Sequence, residues 1–420
     1  MSNVLLDASV IGGPVPLGVY TIAGALVVTL LVRRYRPRYA AFFAAASGVG
    51  AAFGWALSWL VSDVWDLFGI SFSMVTRGWI VAFFAGAGVV IAALSLTRRR
   101  RVAAILAIPA FLLAAATGIN ADFAQYPTVR TVLGIPLYGA LDATPAASSD
   151  ATVAMPTAGT VGEVTIPATV SGFAARSAIV YLPPAALVPN PVALPVIEMM
   201  SGQPGSPQDA FQAGQLAVTL DAYAKAHNGL APIVVVPDQL GTPDNNPMCV
   251  DSPLGNSATY LTVDVPNWIR STFHVDSSPT GWVIAGFSQG GTCSIQLGAA
   301  HPEIWGTVLD VSGELQPQLA TAAQTIASGF GGSKAAYAAA APSAILAAHT
   351  PYSDFEVIVG VGGDDARFGP FSRQIEAAAK KAGATTASIV SPGTSHDWHT
   401  VQYVFTQALP LLADRSGLGG

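Results

Sequence analysis

Four uncharged apolar runs in the first 121 residues, at 16–32, 40–61, 78–96 and 102–120, constrain this chain more than any other feature. A membrane span needs about 20 predominantly apolar residues. The first run is the shortest, and apolar residues upstream lengthen it. It has no basic residue ahead of it and several behind it, the reverse of a cleaved signal sequence. Four such runs, rich in small residues and free of internal charge, do not suit the buried helices of a soluble protein. They predict a four-span transmembrane bundle over 1–121.

Arginines orient the bundle. Arg33, Arg34, Arg36 and Arg38 fill the first connection, and Arg98, Arg99, Arg100 and Arg101 the third. The second connection, 62–77, sets Asp63 and Asp66 against Arg77 alone. Short arginine-rich loops stay cytoplasmic. Four spans therefore place the N-terminus, the second connection and everything after Asn120 outside the plasma membrane, whereas three or five spans would leave the C-terminal part inside. Gly48, Gly50, Gly54, Gly86 and Gly88 let the second and third spans approach closely. No acidic residue falls within a predicted span, so the bundle reads as an anchor, or a floor presenting lipid, and not as an ion or proton path.

Charge divides the chain the same way. Residues 1–121 carry nine Lys/Arg and three Asp/Glu, a net of +6, and 122–420 carry ten and 22, a net of −12. The acidic part excludes a nucleic-acid partner, having nothing to neutralise a run of phosphates. Residues 122–159, rich in Ala, Thr, Ser and Pro, read as a tether and lead-in. From 160 to 420, β-branched runs at 160–166, 178–181, 194–200, 232–236, 281–285, 306–311, 356–361 and 386–390 predict strands. Helical stretches at 208–226, 257–273, 290–300, 371–382 and 400–412 alternate with them. This alternation predicts a mostly parallel sheet covered on both faces.

Within that pattern, Gly286-Phe-Ser288-Gln-Gly290 supplies G-x-S-x-G directly after a buried strand and before a helix. This is the context of the nucleophile turn in an α/β-hydrolase domain: a tight strand-to-helix bend exposes the serine hydroxyl, and glycines let the backbone pass. Ser288 is the predicted nucleophile. The acid and base follow in chain order in this fold. Asp364 and Asp365 both follow the 356–361 strand, and the spacing from Gly362 favours Asp365. His396, between the last strand and the last helix, is the predicted base in preference to His399. His227, His274, His301 and His349 precede the acid and read as surface or packing residues. No H-x-H or H-E-x-x-H spacing occurs, so metal-dependent hydrolysis is not expected.

Stabilising an oxyanion takes two backbone N–H groups. Gln289, after the nucleophile, should give one, and Gln203, in the loop after the third strand, the other. Since both donors are main-chain, the turn should matter more than the side chains. Cys249 and Cys293 are the two cysteines. Buried reduced thiols would be the ordinary reading in the cytosol, but outside it such a pair oxidises. Cys293 lies on the first turns of the nucleophile helix and Cys249 in a loop leaving the same sheet edge, so a disulfide is expected.

The segments 257–269 (SATYLTVDVPNWI), 282–303 with its serine motif, Val311-Ser-Gly313 and Gly393-Thr-Ser-His-Asp-Trp398 resemble the esterase family that includes esterase D, S-formylglutathione hydrolase and the antigen 85 mycolyltransferases. The similarity covers about 160–415 and several separated motifs. It implies a cofactor-free α/β-hydrolase with Ser288 as nucleophile and His396 as base. The sequence around Asp364 and Asp365 departs from the mycolyltransferase pattern, and the four spans are absent from the usual secreted members. The resulting expectation is an extracytoplasmic serine esterase acting on a lipid or envelope ester, an aminoacyl-phospholipid in particular. An acyltransferase moving a chain to a sugar shares every residue named. A catalytically dead binding module on a membrane stalk is the reading of another class, disfavoured by the complete residue set.

Overall fold

The computed structural model describes residues 4–31, 37–95, 97–142 and 154–418. Arg33, Arg34 and Arg36 of the first arginine cluster and 143–153 of the tether lie outside the described residues. The chain forms two compact units, Met1–Leu137 and Tyr138–Gly420.

The first unit contains helices α1 (Pro14–Leu31), α2 (Pro37–Trp59), α3 (Met74–Ala93) and α4 (Arg98–Phe123). All four are long and apolar enough to cross a membrane. A helix meets that demand because it satisfies its backbone polar groups internally. The glycines act where the second and third spans meet: a Cβ on Gly50 would sit 2.1 Å from the Phe84 carbonyl oxygen, and one on Gly88 would sit 2.1 Å from that of Ala46. Gly86 instead faces Phe111 of α4, and Gly48 faces open space.

Contacts at the helix ends sort the connections. The segment before α1 pairs with the segment after α4: Ser9 bridges Thr128, Val10 N–H donates to Pro127 O at 3.0 Å, and Arg130 Nε meets Asp7 Oδ1 at 3.0 Å. At the other end, Arg100 donates to Leu30 O at 3.1 Å. The residues before α1 and after α4 therefore share one end of the bundle, as an even number of crossings requires. That same end holds a polar cluster. Arg77, 8% exposed, pairs with Asp63 at 2.6 Å, and Asp122 accepts from the Ser73 and Thr76 hydroxyls. The apolar run alone did not include Asp122. Helix α4 extends to take it in, because two hydroxyls from the start of α3 satisfy its carboxylate.

The second unit is built on one sheet of eight strands: β1 (Thr160–Val164), β2 (Ala178–Leu182), β3 (Val196–Met200), β4 (Ile233–Val236), β5 (Trp282–Phe287), β6 (Thr307–Val311), β7 (Glu356–Gly362) and β8 (Thr385–Ser391). Their order is β1-β2-β4-β3-β5-β6-β7-β8. Strand β2 is antiparallel to β1 and β4, and the remaining pairings are parallel. This is the α/β-hydrolase arrangement. Every residue of β2 to β6 is buried, as apolar runs in a sheet covered on both faces must be. One exception in composition is Glu198 on β3. Burial pushes its carboxyl well above the usual range, against the opposing pull of Arg270.

Helices α5 (Leu216–Ala226), α6 (Gln289–Ala300), α7 (Phe368–Lys381) and α8 (Trp398–Arg415) cover the sheet. The stretch read as one helix over 208–226 breaks before α5, where Gln215 adopts φ +53°. Between β6 and β7, short helices Ala322–Gly329, Lys334–Ala339 and Pro342–Ala348 occupy a segment without a clear apolar period.

If the small residues set the α2–α3 approach, Gly88→Leu should destabilise the detergent-solubilised bundle by on the order of 1–3 kcal/mol in an SDS titration followed by circular dichroism. Gly48→Leu, which meets open space, should leave the midpoint near the parent value.

Candidate active site

The parallel strands all end at one sheet edge, and the loops leaving β3, β4, β5, β7 and β8 build the site there. Ser288 sits between β5 and α6 with φ 58° and ψ −117°. A non-glycine residue in such a conformation costs on the order of 1–3 kcal/mol, so its surroundings must impose it. Ser288 N–H donates to Val311 O at 2.9 Å, and Thr292 N–H donates to Ser288 O at 2.9 Å. A Cβ on Gly286 would lie 2.0 Å from Gly290 O, and one on Gly290 would lie 2.5 Å from both Met200 O and Ser201 O. Glycine is obligatory at both ends of the turn.

His396 comes from the loop between β8 and α8. Its Nε2 lies 2.9 Å from Ser288 Oγ and its Nδ1 lies 3.3 Å from Asp365 Oδ2. With Nδ1–H facing the carboxylate, Nε2 is free to accept the serine proton. The imidazole is stacked on Phe368 at 4.1 Å between centroids and tilted against Phe287 at 4.9 Å, leaving it 7% exposed. The neighbouring Asp397 shapes the loop: Oδ1 accepts from Thr400 N–H at 2.9 Å, capping α8, and Oδ2 accepts from Ser395 N–H at 2.7 Å. The motif around His396 thus carries its own turn. His399 lies in the first turn of α8.

Asp365 is buried and Asp364 exposed. Asp365 Oδ1 accepts from Phe368 N–H at 2.9 Å and Arg367 N–H at 3.2 Å, where the start of α7 favours negative charge. Asp364 contributes its backbone: its N–H donates to Thr394 O at 2.9 Å, joining the acid loop to the base loop.

The two sides of the expected oxyanion hole also converge. Gln289 opens α6, so its N–H is one of the first-turn donors without an intrahelical acceptor. From the loop after β3, Gly202 approaches the nucleophile, where an added Cβ would lie 3.5 Å from Ser288 Cβ. Gln203 follows it, with its side-chain amide donating to Asp244 O at 3.2 Å.

The side chain of Gln289 is itself engaged. Its buried amide accepts from Gln239 Nε2 at 3.0 Å and donates to Asn246 Oδ1 at 3.1 Å. Its nitrogen lies 3.2 Å from Cys293 Sγ. Cys249 and Cys293 form a disulfide with Cα atoms 5.5 Å apart. The bridge holds a loop in which Met248 (φ 61°) and Cys249 (φ 51°) are both left-handed.

Periodicity did not mark Asp238, Gln239 or Arg176. Asp238, fully buried, accepts from Arg176 Nε at 2.9 Å and Nη2 at 2.7 Å and from the N–H groups of Leu240 and Gly241. Arg176 also donates to Gly205 O at 2.9 Å. The only available signal was the position of Asp238 and Gln239 immediately after a buried strand. Under the nucleophile turn, burial pushes Asp310 up to about 7, opposed by the N–H of Gly313. Among the described residues, no three His, Cys, Asp or Glu side chains converge where a metal ion could be held.

Comparison with known proteins agrees with this geometry. Residues 174–410 match the family model described as Putative esterase. An uncharacterized protein of Corynebacterium glutamicum is 34% identical over 339 residues, covering 76% of this chain and 78% of that one. Among solved structures, a ferulic acid esterase covers 62% of this chain and all of its own, at 17% identity and a TM-score of 0.52. An S-formylglutathione hydrolase from Agrobacterium tumefaciens covers 63% of this chain and 98% of its own, at 19% identity and a TM-score of 0.51. At those identities the two structures establish the fold alone.

The two aspartates are separable by experiment. Asp365→Asn should lower kcat for a p-nitrophenyl ester by on the order of 10⁴-fold, because the asparagine favours the wrong imidazole tautomer. Asp364→Asn keeps the backbone bond to Thr394 and should stay close to the parent rate. Equal losses in steady-state assays would reassign the acid.

Proposed function

The chain belongs to the esterase family and is a serine ester hydrolase; from that premise we propose that it is held by four spans and cleaves an amphiphilic ester outside the plasma membrane. The observation that carries the chemistry is the run Ser288 Oγ to His396 Nε2 at 2.9 Å and His396 Nδ1 to Asp365 Oδ2 at 3.3 Å, with Ser288 in an imposed backbone conformation.

In the proposed reaction, His396 Nε2 takes the Ser288 proton as Oγ attacks the ester carbonyl. Asp365 holds the imidazole and stabilises its charged form. The N–H groups of Gln289 and Gln203 bind the tetrahedral oxyanion, where the loss of one donor costs about 2.7–4 kcal/mol. His396 returns the proton to the departing alcohol. Water, activated by the same imidazole, then releases the acyl group from Ser288. Ser288→Ala and His396→Ala should each abolish turnover of a short p-nitrophenyl ester without preventing folding.

Support for a membrane-derived substrate comes from the chain's composition. A soluble ester does not require an enzyme fused to four apolar helices, whereas an ester embedded in the bilayer or the adjoining envelope is met at the surface where such helices hold their cargo. The net −12 of residues 122–420 suits a cationic aminoacyl headgroup better than an anionic one. An aminoacyl-phospholipid is therefore the substrate proposed. The mycolyltransferase resemblance favours a second reading, transfer of a long acyl chain to a sugar.

Purified protein in detergent should release amino acid from aminoacyl-phosphatidylglycerol, and Ser288→Ala should not. Release of fatty acid from an acyl sugar, or transfer between sugars, without amino-acid release would select the second reading. Efficient cleavage of soluble esters alone would reduce the bundle to a localisation device. The outside placement rests on the arginine pattern and on the even number of crossings. Protease added to intact spheroplasts should accordingly degrade the domain after 137 and spare the Arg98–Arg101 connection.

A further inference from the structure

The loop after β3 and the turn after β5 supply the two sides of the oxyanion hole, and one side chain from neither of them connects the two. Gln239, in the loop after β4, donates from Nε2 to Ser201 O at 2.6 Å and to Gln289 Oε1 at 3.0 Å. Ser201 immediately precedes Gly202 and Gln203, and Gln289 carries the other oxyanion N–H. We infer that Gln239 is a positioning residue of the oxyanion hole, setting the spacing between its two backbone donors; this rests on the reading of Ser288 as an acyl-transfer nucleophile.

The hydrogen-bond chain runs in only one direction. Ser201 contributes a carbonyl, which only accepts. At the far end, Met248 N–H donates to Asn246 Oδ1 at 2.9 Å, and Asn246 Nδ2 donates to Gln318 O at 3.0 Å. Asn246 therefore turns its oxygen toward Gln289, which must present its nitrogen there and its oxygen toward Gln239. Gln239 is left as the donor to both of its partners. Every amide orientation follows from fixed backbone groups.

Packing alone does not explain an amide at 239. The residue is 1% exposed, and its Oε1 has no hydrogen-bond partner among the described residues. A methionine of similar volume would fill the space without burying an unpaired oxygen. What the amide adds is a nitrogen bonded to two loops at once. Its own placement is secured by the neighbouring Asp238, locked by Arg176, and Arg176 reaches the same β3 loop at Gly205.

The tie can be cut from either end in the full chain in detergent, by Gln239→Met or by Gln289→Met, which keeps the 289 backbone N–H. Each folded variant should lose about 10- to 100-fold in kcat for a p-nitrophenyl ester while KM stays within about twofold. A boronic acid, which forms a tetrahedral adduct on Ser288, should weaken by the same factor as kcat. The acid limb of the kcat/KM profile against pH should not move, because His396 and Asp365 keep their contacts. A folded variant with kcat within twofold of the parent, a kcat loss without a matching loss of boronate affinity, or a shifted acid limb would each overturn the inference. So would failure of both variants to fold, which would make the tie structural. Ser288→Ala separates the two levels: residual esterase activity there sinks the site reading itself. A dead Ser288→Ala beside an unimpaired Gln239→Met sinks only the role of Gln239.

Discussion

The site depends on holding a serine where its backbone does not favour it. At φ 58° and ψ −117°, Ser288 lifts its hydroxyl off the end of β5, and two strands and a helix share the task of keeping it there. Strand β6 accepts its N–H through Val311, α6 takes its carbonyl through Thr292, and β3 comes so close that Gly290 has no room for a side chain. A central position in a parallel sheet suits this role, since two hydrogen-bonded neighbours resist any shift of the strand that ends in the nucleophile. The remaining catalytic groups are then a matter of which loops leave the same edge.

Much of this was legible in the sequence because the physics is local. The buried strands are apolar runs, and all eight strands of the sheet lie near runs legible in the sequence. The serine turn announces itself through its glycines, each compelled by a nearby carbonyl. The choice between Asp364 and Asp365 rested on spacing, and the structure separates them by burial: one carboxylate lies beneath the histidine, the other in solvent. What could not be read depends on contacts between distant loops. Gln239, Asn246 and Gln289 are unremarkable polar residues in sequence and meet only after β4, β5 and the disulfide-bearing loop have assembled. The helices between β6 and β7 were missed because their segment is rich in alanine and glycine, with too few large apolar residues to set a period.

The disulfide and the amide chain address the same requirement by different means. Consecutive left-handed residues at Met248 and Cys249 would relax in a free loop. The covalent bridge to α6 restrains one side of that loop, and Asn246 receives Met248 N–H on the other. Both ties meet the Gln289 side chain, whose amide donates to Asn246 Oδ1 and lies 3.2 Å from Cys293 Sγ. Electrostatic stabilisation of a transition state works only when the dipoles need no rearrangement at the moment of reaction. In the proposed reaction, buried amides with one permitted orientation would meet that requirement.

The pairing of residues 8–10 with 127–129 has a consequence for how the first unit is made. The opening segment has no partner when it leaves the ribosome, because the backbone groups it bonds to lie beyond the last of the four helices. The contacts of residues 8–10 therefore form only once α4 and the residues after it are in place. A chain that stops before α4 leaves the backbone groups of Ala8 and Val10 without these partners.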